Sequence, residues 1–151
     1  DEPSPVPREV DADWNGITVC MHVRDYQATT ASMVAFLPAT AGAPLRAWVA
    51  LGSPCASVYV PVFPPFGVPE PLGHEASWHR FAALRDRVET DPDALVEVRA
   101  VLDSVEADLW AQADDLALAG DVAAPGPTRA QPRYLADAWG SVDAALRTLG
   151  V

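Results

Sequence analysis

The residues best suited to chemistry in this chain are two cysteines and three histidines. Cys20 and His22 lie two apart in a strand-like run, so alternation places both side chains on one face. A thiol beside an imidazole is a possible nucleophile and base, but strand spacing alone does not direct one side chain at the other. Cys55 follows Pro54 in a Gly-Ser-Pro-Cys turn. It is either the wall of a pocket at a strand end or a small buried side chain.

Hydroxyls and a basic cluster supply the remaining candidates. Ser53 offers a hydroxyl donor to a substrate, although a serine in this position more often hydrogen-bonds within its own protein. His79 and Arg80 lie near the start of a predicted helix, after a proline-rich loop. Arginine binds a carboxylate through two parallel hydrogen bonds, so a substrate carboxylate is one possible ligand there, and a solvated helix N-terminus is the alternative. The candidate pocket residues are His22, Ser53, Cys55, His79 and Arg80.

The same residues indicate neither a metal site nor a disulfide framework. No CxxC motif occurs, and Glu75 with His79, four apart on a helix, is a single weak ligand pair. Two cysteines are too few to act as a framework for 151 residues. We therefore expect reduced, buried thiols, a cytoplasmic location and no cofactor.

Composition excludes two further classes. The chain carries 21 acidic against 10 basic residues, a net charge of −11, and all the basic residues are Arg. Such a chain repels a phosphate backbone, so we expect no nucleic-acid partner. No apolar run approaches the roughly 20 residues of a membrane-spanning helix. Half the residues are apolar, enough for a sizeable core.

The first half of the chain has a composition typical of β-strands. Runs rich in β-branched and apolar residues, separated by short links, predict an antiparallel sheet or meander. Their near-continuous apolar character indicates that both faces of the sheet are covered. The runs are residues 17–24, 30–37, 45–51 and 56–63. Residues 1–16, with three prolines in the first seven positions, read as a linker, and the absence of an initial Met indicates that an upstream segment has been removed.

The second half is helical. Residues 64–73 hold four prolines and two glycines and predict an irregular loop, either functional or a surface connector. A first helix is predicted over residues 75–89 and a second from Asp91-Pro92 to Gly120. After a loop at 121–130, Pro132 opens a last helix. Both later helices carry an apolar stripe. The stripe of the second helix is Leu95, Val98, Leu102, Val105, Leu109 and Leu116. The stripe of the last helix is Leu135, Ala138, Val142, Ala145 and Leu149.

Strands followed by helices predict an α+β fold. Three segments in order, TVCMH at 18–22, TTASMVAFLP at 29–38 and LRAWVALGSPCASVYVPVF at 45–63, resemble the C-terminal part of the secernin and dipeptidase family of N-terminal-nucleophile (Ntn) cysteine hydrolases. One departure is that Ala28 separates Gln27 from the Thr pair. The resemblance implies an Ntn-type αββα sandwich, of which residues 17–151 form one part. It covers the strands well and the helices only in general character.

The resemblance also implies a mechanism. In this family a Cys at the start of the mature chain attacks an amide carbonyl, and its own α-amino group is the base. Neither Cys20 nor Cys55 holds that position, so the nucleophile is expected on an N-terminal half, present as another chain of the same precursor or lost. The implied substrates are dipeptides or other small amides. Two alternatives stay open: a non-catalytic binding or scaffold module of the same fold, and an acyltransferase that uses the same thioester chemistry.

Overall fold

The computed structural model describes residues 19–21, 28–39, 45–64, 68–121 and 130–151. It is an α+β arrangement of three strands followed by three helices. The strands are β1 (Ala31–Phe36), β2 (Arg46–Leu51) and β3 (Val60–Val62). The helices are α1 (Glu75–Thr90), α2 (Ala94–Asp121) and α3 (Ala130–Thr148). Two short 3-10 helices, Pro54–Ala56 and Glu70–Gly73, precede β3 and α1.

The strands form an antiparallel meander in the order β1-β2-β3. Val34 pairs with Trp48, which pairs in turn with Pro61. A proline has no N–H to give to a ladder, so its place in β3, with β2 on one side, suits a strand at the edge of the described sheet. Alternation then sets two faces. Met33 and Ala35 share one face with Val49, whereas Val34 and Phe36 share the other with Trp48.

Burial changes steeply across this small sheet. All three residues of β3 are buried, and β2 is buried or half-buried along its length. In β1 Ser32 is half-buried and the other five residues are exposed. Met33 keeps 68% of its surface accessible. Val34 and Phe36 are also exposed. Within the described part of the chain, the apolar character of β1 is therefore not matched by burial on either face.

The helices close the core against β2 and β3. Buried residues of α2 and α3 meet Leu51, Val58, Val60 and Phe63 in one apolar cluster. Phe63 packs edge-on against Tyr134, with ring centroids 5.8 Å apart. The predicted α3 stripe is fully buried, and Val98, Leu102 and Leu109 of the predicted α2 stripe are buried as well. Leu95, Val105 and Leu116 are only partly buried and pack against the same cluster. None of the described helices is long and apolar enough to cross a membrane.

Helix ends follow local chemistry. Asp91 ends α1, and its Oδ1 atom accepts the N–H of Asp93 at 3.2 Å, so the break between α1 and α2 is capped by a side chain. At the end of α3, Gly150 adopts φ 80° while the N–H of Val151 donates to the carbonyl of Leu146 at 3.0 Å. This is the six-to-one bond of a Schellman motif, which favours glycine at the left-handed position.

Several elements differ from the sequence-based expectations. Residues 19–21, inside the first predicted strand, form a turn, with Met21 at φ 51°. Helix α2 begins two residues after Pro92, and α3 begins two residues before Pro132. The predicted loop 64–73 contains a 3-10 turn at its end. The predicted linker 1–16, residues 65–67 and most of the predicted loop 121–130 lie outside the described residues.

Gly52 gives a direct test of the turn that follows β2. It adopts φ 74°, and a Cβ atom placed there would lie 3.2 Å from Cβ of Phe81. We expect Gly52→Ala to lower the free energy of unfolding by about 1–3 kcal/mol, from left-handed strain and crowding together.

Gly140 in α3 is the matched control, because a Cβ atom there would meet nothing within 4 Å. Gly140→Ala should stabilise the protein by about 0.5–1 kcal/mol, since alanine is the better helix former. Urea unfolding of the two variants checks the signs. Equal effects would contradict this account of the turn.

Candidate functional site

Two candidate residues come together where β2 ends. Gly52 turns the chain, and Pro54 opens a 3-10 helix that carries Cys55 beside the turn containing Cys20. The backbone N–H of Cys55 donates to Sγ of Cys20 at 3.2 Å. The hydroxyl of Ser53 is fully buried and donates to the carbonyl of Thr29 at 3.4 Å. We call Cys20, Thr29, Ser53 and Cys55 the thiol–hydroxyl cluster.

Backbone contacts fix the cluster to the sheet. The N–H of Thr29 donates to the carbonyl of Cys20 at 3.0 Å, and its hydroxyl donates to the carbonyl of Val19 at 2.7 Å. The next carbonyl, that of Thr30, accepts both the N–H of Gly52 and Nε1–H of Trp78, each at 2.8 Å. Three chain segments and α1 are thus joined at the start of β1, which makes this corner a defined structure.

The electrostatics of the cluster set the state of Cys55. Its pKa is raised far above the usual 9.0, first because its thiol hydrogen-bonds to the Cys20 side chain, then because of burial and the adjacent Cys20 charge. Cys55 is therefore a neutral thiol at physiological pH. The thiolate is the nucleophilic form of cysteine, so this residue is chemically suited to line a site and not to attack a carbonyl.

The other candidates lie elsewhere. His79 is exposed on α1, 3.3 Å from the carboxylate of Glu75, and packs edge-on against Trp78. Trp78 in turn donates its indole N–H to the carbonyl of Thr30, the residue after Thr29 of the cluster. His22 lies outside the described residues, so its relation to Cys20 is not described.

Arg80 joins α1 to the end of α3. Its guanidinium group donates to Oδ1 of Asp143 at 2.6 Å and to the carbonyl of Val151 at 2.8 Å. A substrate carboxylate at Arg80 would have to compete with Asp143. This pairing could not be predicted from the local sequence, because Arg80 and Asp143 lie 63 positions apart.

A second group of polar and aromatic contacts lies where the sheet meets α2. The guanidinium of Arg46 lies over the rings of Phe36 and Trp48, at 5.6 and 5.7 Å, and donates to Asp114 at 2.7 Å. Trp48 stacks at a tilt on Trp110, 5.5 Å away. The indole N–H of Trp48 is buried without a hydrogen-bond acceptor among the described residues.

One cavity of about 300 Å³ lies between α2 and α3, and none of the five candidate residues lines it. Its walls are Gln112, Asp115, Leu116, Arg133, Tyr134 and Asp137. Residues 19–21, 28–39, 45–64, 68–121 and 130–151 contain no group of three or more His, Cys, Asp or Glu arranged to hold a metal ion.

No family model, curated protein or solved structure matches the chain.

The sequence does not indicate the roles of Cys20, Thr29 and Trp78 at this corner. The strand spacing pairs Cys20 with His22, whereas the structure places it against Cys55, 35 positions away. Trp78 lies 48 positions from Thr30, the residue before β1 whose carbonyl accepts its indole N–H. The available signal is that the chain holds only two cysteines, and each lies in or next to a strand-like run.

The pairing of Asp143 predicts a pH dependence. The hydrogen bond from Arg80 is the main cause that holds the pKa of Asp143 below its usual 3.8, and Arg147 adds to it. A carboxyl group with a depressed folded-state pKa stabilises the fold above its unfolded pKa, and this contribution is lost as pH falls through the folded value. Wild type should therefore exceed Asp143→Asn in stability at neutral pH, with the gap closing below pH 3.8.

Urea unfolding of both proteins across this pH range measures the gap. Asp137→Asn on the exposed side of the same helix is the control, and its gap should be smaller because Arg133 lies 3.6 Å away in solvent. A gap for Asp143→Asn that widens on acidification would refute the assignment.

Proposed function

We propose that this chain is the C-terminal segment or processed subunit of a secernin-like cysteine Ntn hydrolase that cleaves dipeptides or other small amides. The resemblance of the three segments supports the assignment to this family. The α+β order of the described elements is consistent with one part of an αββα sandwich. The nucleophilic Cys belongs to the N-terminal half of the same precursor. The assembled enzyme is cytoplasmic and needs no cofactor.

The exposed apolar strand β1 is the observation that carries the proposal. Met33 and Leu37 keep 68% and 78% of their surfaces accessible, and Val34 and Phe36 are also exposed. Large apolar side chains scattered singly on a surface need no explanation, but here they are exposed on both faces of β1 and just after its end. Met33, Val34, Phe36 and Leu37 together are called the β1 patch, and such exposure marks an interaction site. In the described residues no element covers it. An N-terminal half that extends the sandwich over β1 would bury this patch.

The second support is the chemical state of the cluster. Cys55, whose raised pKa keeps it protonated, and the buried Ser53 offer neutral hydrogen-bonding groups at the start of β1. A nucleophile brought there by another segment would meet a wall of thiol, hydroxyl and backbone groups. His79 and Arg80 lie on α1, whose neighbouring Trp78 contacts the same corner. The five candidate residues are therefore proposed as pocket wall and not as catalytic groups.

The proposed reaction runs through a thioester. The thiol of the N-terminal Cys gives its proton to the α-amino group of the same residue, and the sulfur attacks the amide carbon. Donors at the site stabilise the oxyanion that forms. The carbon–nitrogen bond then breaks, and the proton passes to the leaving amine. Water hydrolyses the thioester, which releases a carboxylic acid and restores the thiol.

Expression from the complete precursor tests the proposal. Proteins that co-purify with this chain are identified by intact mass and N-terminal sequencing. The expected result is a partner fragment that begins with Cys, and a complex that hydrolyses dipeptides and is inactivated by iodoacetamide. Replacement of that first Cys by Ser is the matched control and should abolish thiol-dependent hydrolysis while the complex still assembles.

Three other outcomes contradict the proposal in distinct ways. A stable monomer of 151 residues that hydrolyses dipeptides alone would refute the need for a partner. A folded chain with no partner and no activity would support the scaffold module. A complex that transfers the acyl group to an added amine faster than to water would indicate an acyltransferase.

A further inference from the structure

We propose that Cys20 and Cys55 are an oxidation site, which forms a reversible intramolecular disulfide when a hydroperoxide reaches the thiol–hydroxyl cluster. This inference rests on the cluster alone and does not depend on the proposed hydrolase activity.

The geometry places the two sulfurs within reach. Sγ of Cys20 lies 3.2 Å from the backbone N of Cys55, and the side chain of Cys55 starts at that same residue. The two thiols also hydrogen-bond to each other. Rotation of the Cys55 side chain about χ1 therefore moves its sulfur around a partner already in contact. In the structure both residues are present as thiols.

The contacts give the two thiols different roles. The N–H of Cys55 points at the sulfur of Cys20, and a backbone donor stabilises negative charge on a thiolate. The sulfur of Cys55 also receives backbone N–H groups, those of Cys55 and Ala56, but its hydrogen bond to the Cys20 side chain and its burial outweigh them, so its pKa is raised and Cys55 remains a thiol. Cys20 is therefore the sulfur that meets the oxidant, and Cys55 is the resolving thiol beside it. This is the arrangement expected of a redox-sensitive pair.

Access is compatible with these roles. Both cysteines are half-buried, so a small peroxide reaches them while a protein surface does not. Val19, next to Cys20, is largely exposed, which places the Cys20 turn at the surface. A disulfide between two molecules is the competing fate of an accessible thiol, and the resolving thiol of the same chain, already in contact, competes with it.

The reaction balances with hydrogen peroxide as the oxidant. The Cys20 thiol releases its proton, the thiolate attacks one peroxide oxygen, and the oxygen–oxygen bond breaks. The sulfur becomes a sulfenic acid, and the leaving hydroxide takes up the released proton to give one water. Sγ of Cys55 then attacks Sγ of Cys20, and the sulfenic oxygen departs with the Cys55 proton as a second water. Two electrons pass from the two thiols to the peroxide. A dithiol reductant reverses the step by thiol–disulfide exchange.

The disulfide would tie the turn at residues 19–21 to the 3-10 helix after β2. The closed loop includes all of β1 and β2, because these strands lie between the two cysteines. The Cys20–Cys55 pair thus controls whether the corner at the start of β1 is held by hydrogen bonds or by a covalent bond.

Peptide mapping of the native chain tests the proposal. The purified chain is treated with a small excess of hydrogen peroxide at neutral pH, alkylated and digested with trypsin. Cleavage after Arg8, Arg24, Arg46 and Arg80 places Cys20 in peptide 9–24 and Cys55 in peptide 47–80. We expect these two peptides linked to each other, a mass loss of about 2 Da in the intact chain, and recovery of both thiols with dithiothreitol.

Two variants separate the roles of the thiols. In Cys55→Ser, Cys20 should still react and stop at the sulfenic acid, which dimedone captures. In Cys20→Ser, the remaining Cys55 should react at least about tenfold more slowly than Cys20 does in Cys55→Ser, because burial still raises the pKa of Cys55 after the contribution of Cys20 is lost. Chain unfolded in urea is the control, where the link between the two peptides should fall.

The overturning results are equally specific. If both thiols survive the peroxide treatment in the native chain but react in urea, the pair is protected and the proposal is wrong. Linkage found only between two molecules, or equal rates for the two single variants, would also refute it.

Discussion

Leu102→Ala is expected to lower the free energy of unfolding by about 3–5 kcal/mol, which is a large part of the total for a domain of this size. Leu102 is fully buried on α2, in the cluster that also contains residues of α1, α3 and the sheet. Removal of its side chain takes away transfer free energy and leaves a cavity that four elements would have to close. Urea unfolding followed by circular dichroism measures the change.

The same substitution at an exposed site is the control. Leu37 follows β1 and keeps 78% of its surface accessible, so Leu37→Ala should change stability by less than about 0.5 kcal/mol. Leu37 belongs to the patch assigned above to the N-terminal half. In the complete precursor, its replacement should therefore weaken assembly although the isolated chain is unaffected. Equal losses of stability at the two positions would contradict the described core.

The elements predicted best are those whose patterns are local. The stripe on α3 required only the 3.6-residue period, and all five of its predicted members are buried. On α2 the period also holds, but the core position near Gln112 belongs to Ala113, which is buried while Gln112 is exposed. A small residue next to a large polar one gives little signal in the sequence.

Burial of the sheet could not be predicted in the same way. The near-continuous apolar runs predicted coverage of both faces, which is met at β3 and not at β1 in the described residues. Apolar composition predicts that a strand can be buried, but it does not predict which element of the protein buries it. The difference between β1 and β3 depends on where α2 lies, and its contacts with Tyr59 and Trp48 join residues about 50 positions or more apart in sequence.

The site illustrates the same limit. Ser53 and Cys55 were placed together by a turn motif within three residues, and the structure keeps them together. Their partners, Thr29 and Cys20, lie 24 and 35 positions away, and no periodicity connects them. Arg80 was predicted as a ligand-binding cation because its type and place suit that role. Its pairing with Asp143 is tertiary and is invisible in the local sequence.

Phe81→Ala is the second substitution for which we expect a large effect, about 3–5 kcal/mol. Phe81 is 1% exposed on α1, and its Cβ and backbone atoms lie against the open side of Gly52. The contact joins α1 to the turn from which Ser53 and Cys55 extend. Alanine keeps the Cβ and backbone atoms that face Gly52, so the expected effect comes from the lost ring. Because α1 also packs on the 3-10 helix that carries Cys55, loss of the ring should destabilise the whole chain and also loosen the thiol–hydroxyl cluster before global unfolding.

Phe81→Leu separates packing volume from the ring itself. Leucine fills most of the same space, so this variant should lose less than about 1.5 kcal/mol. Amide hydrogen exchange gives the local reading, through the N–H groups of Gly52 and Cys55, which donate to Thr30 and Cys20. In Phe81→Ala these two amides should exchange faster relative to those of α3. Uniform acceleration in all elements would mean that Phe81 stabilises the core without any particular hold on the cluster, and a loss under about 1 kcal/mol would contradict its burial.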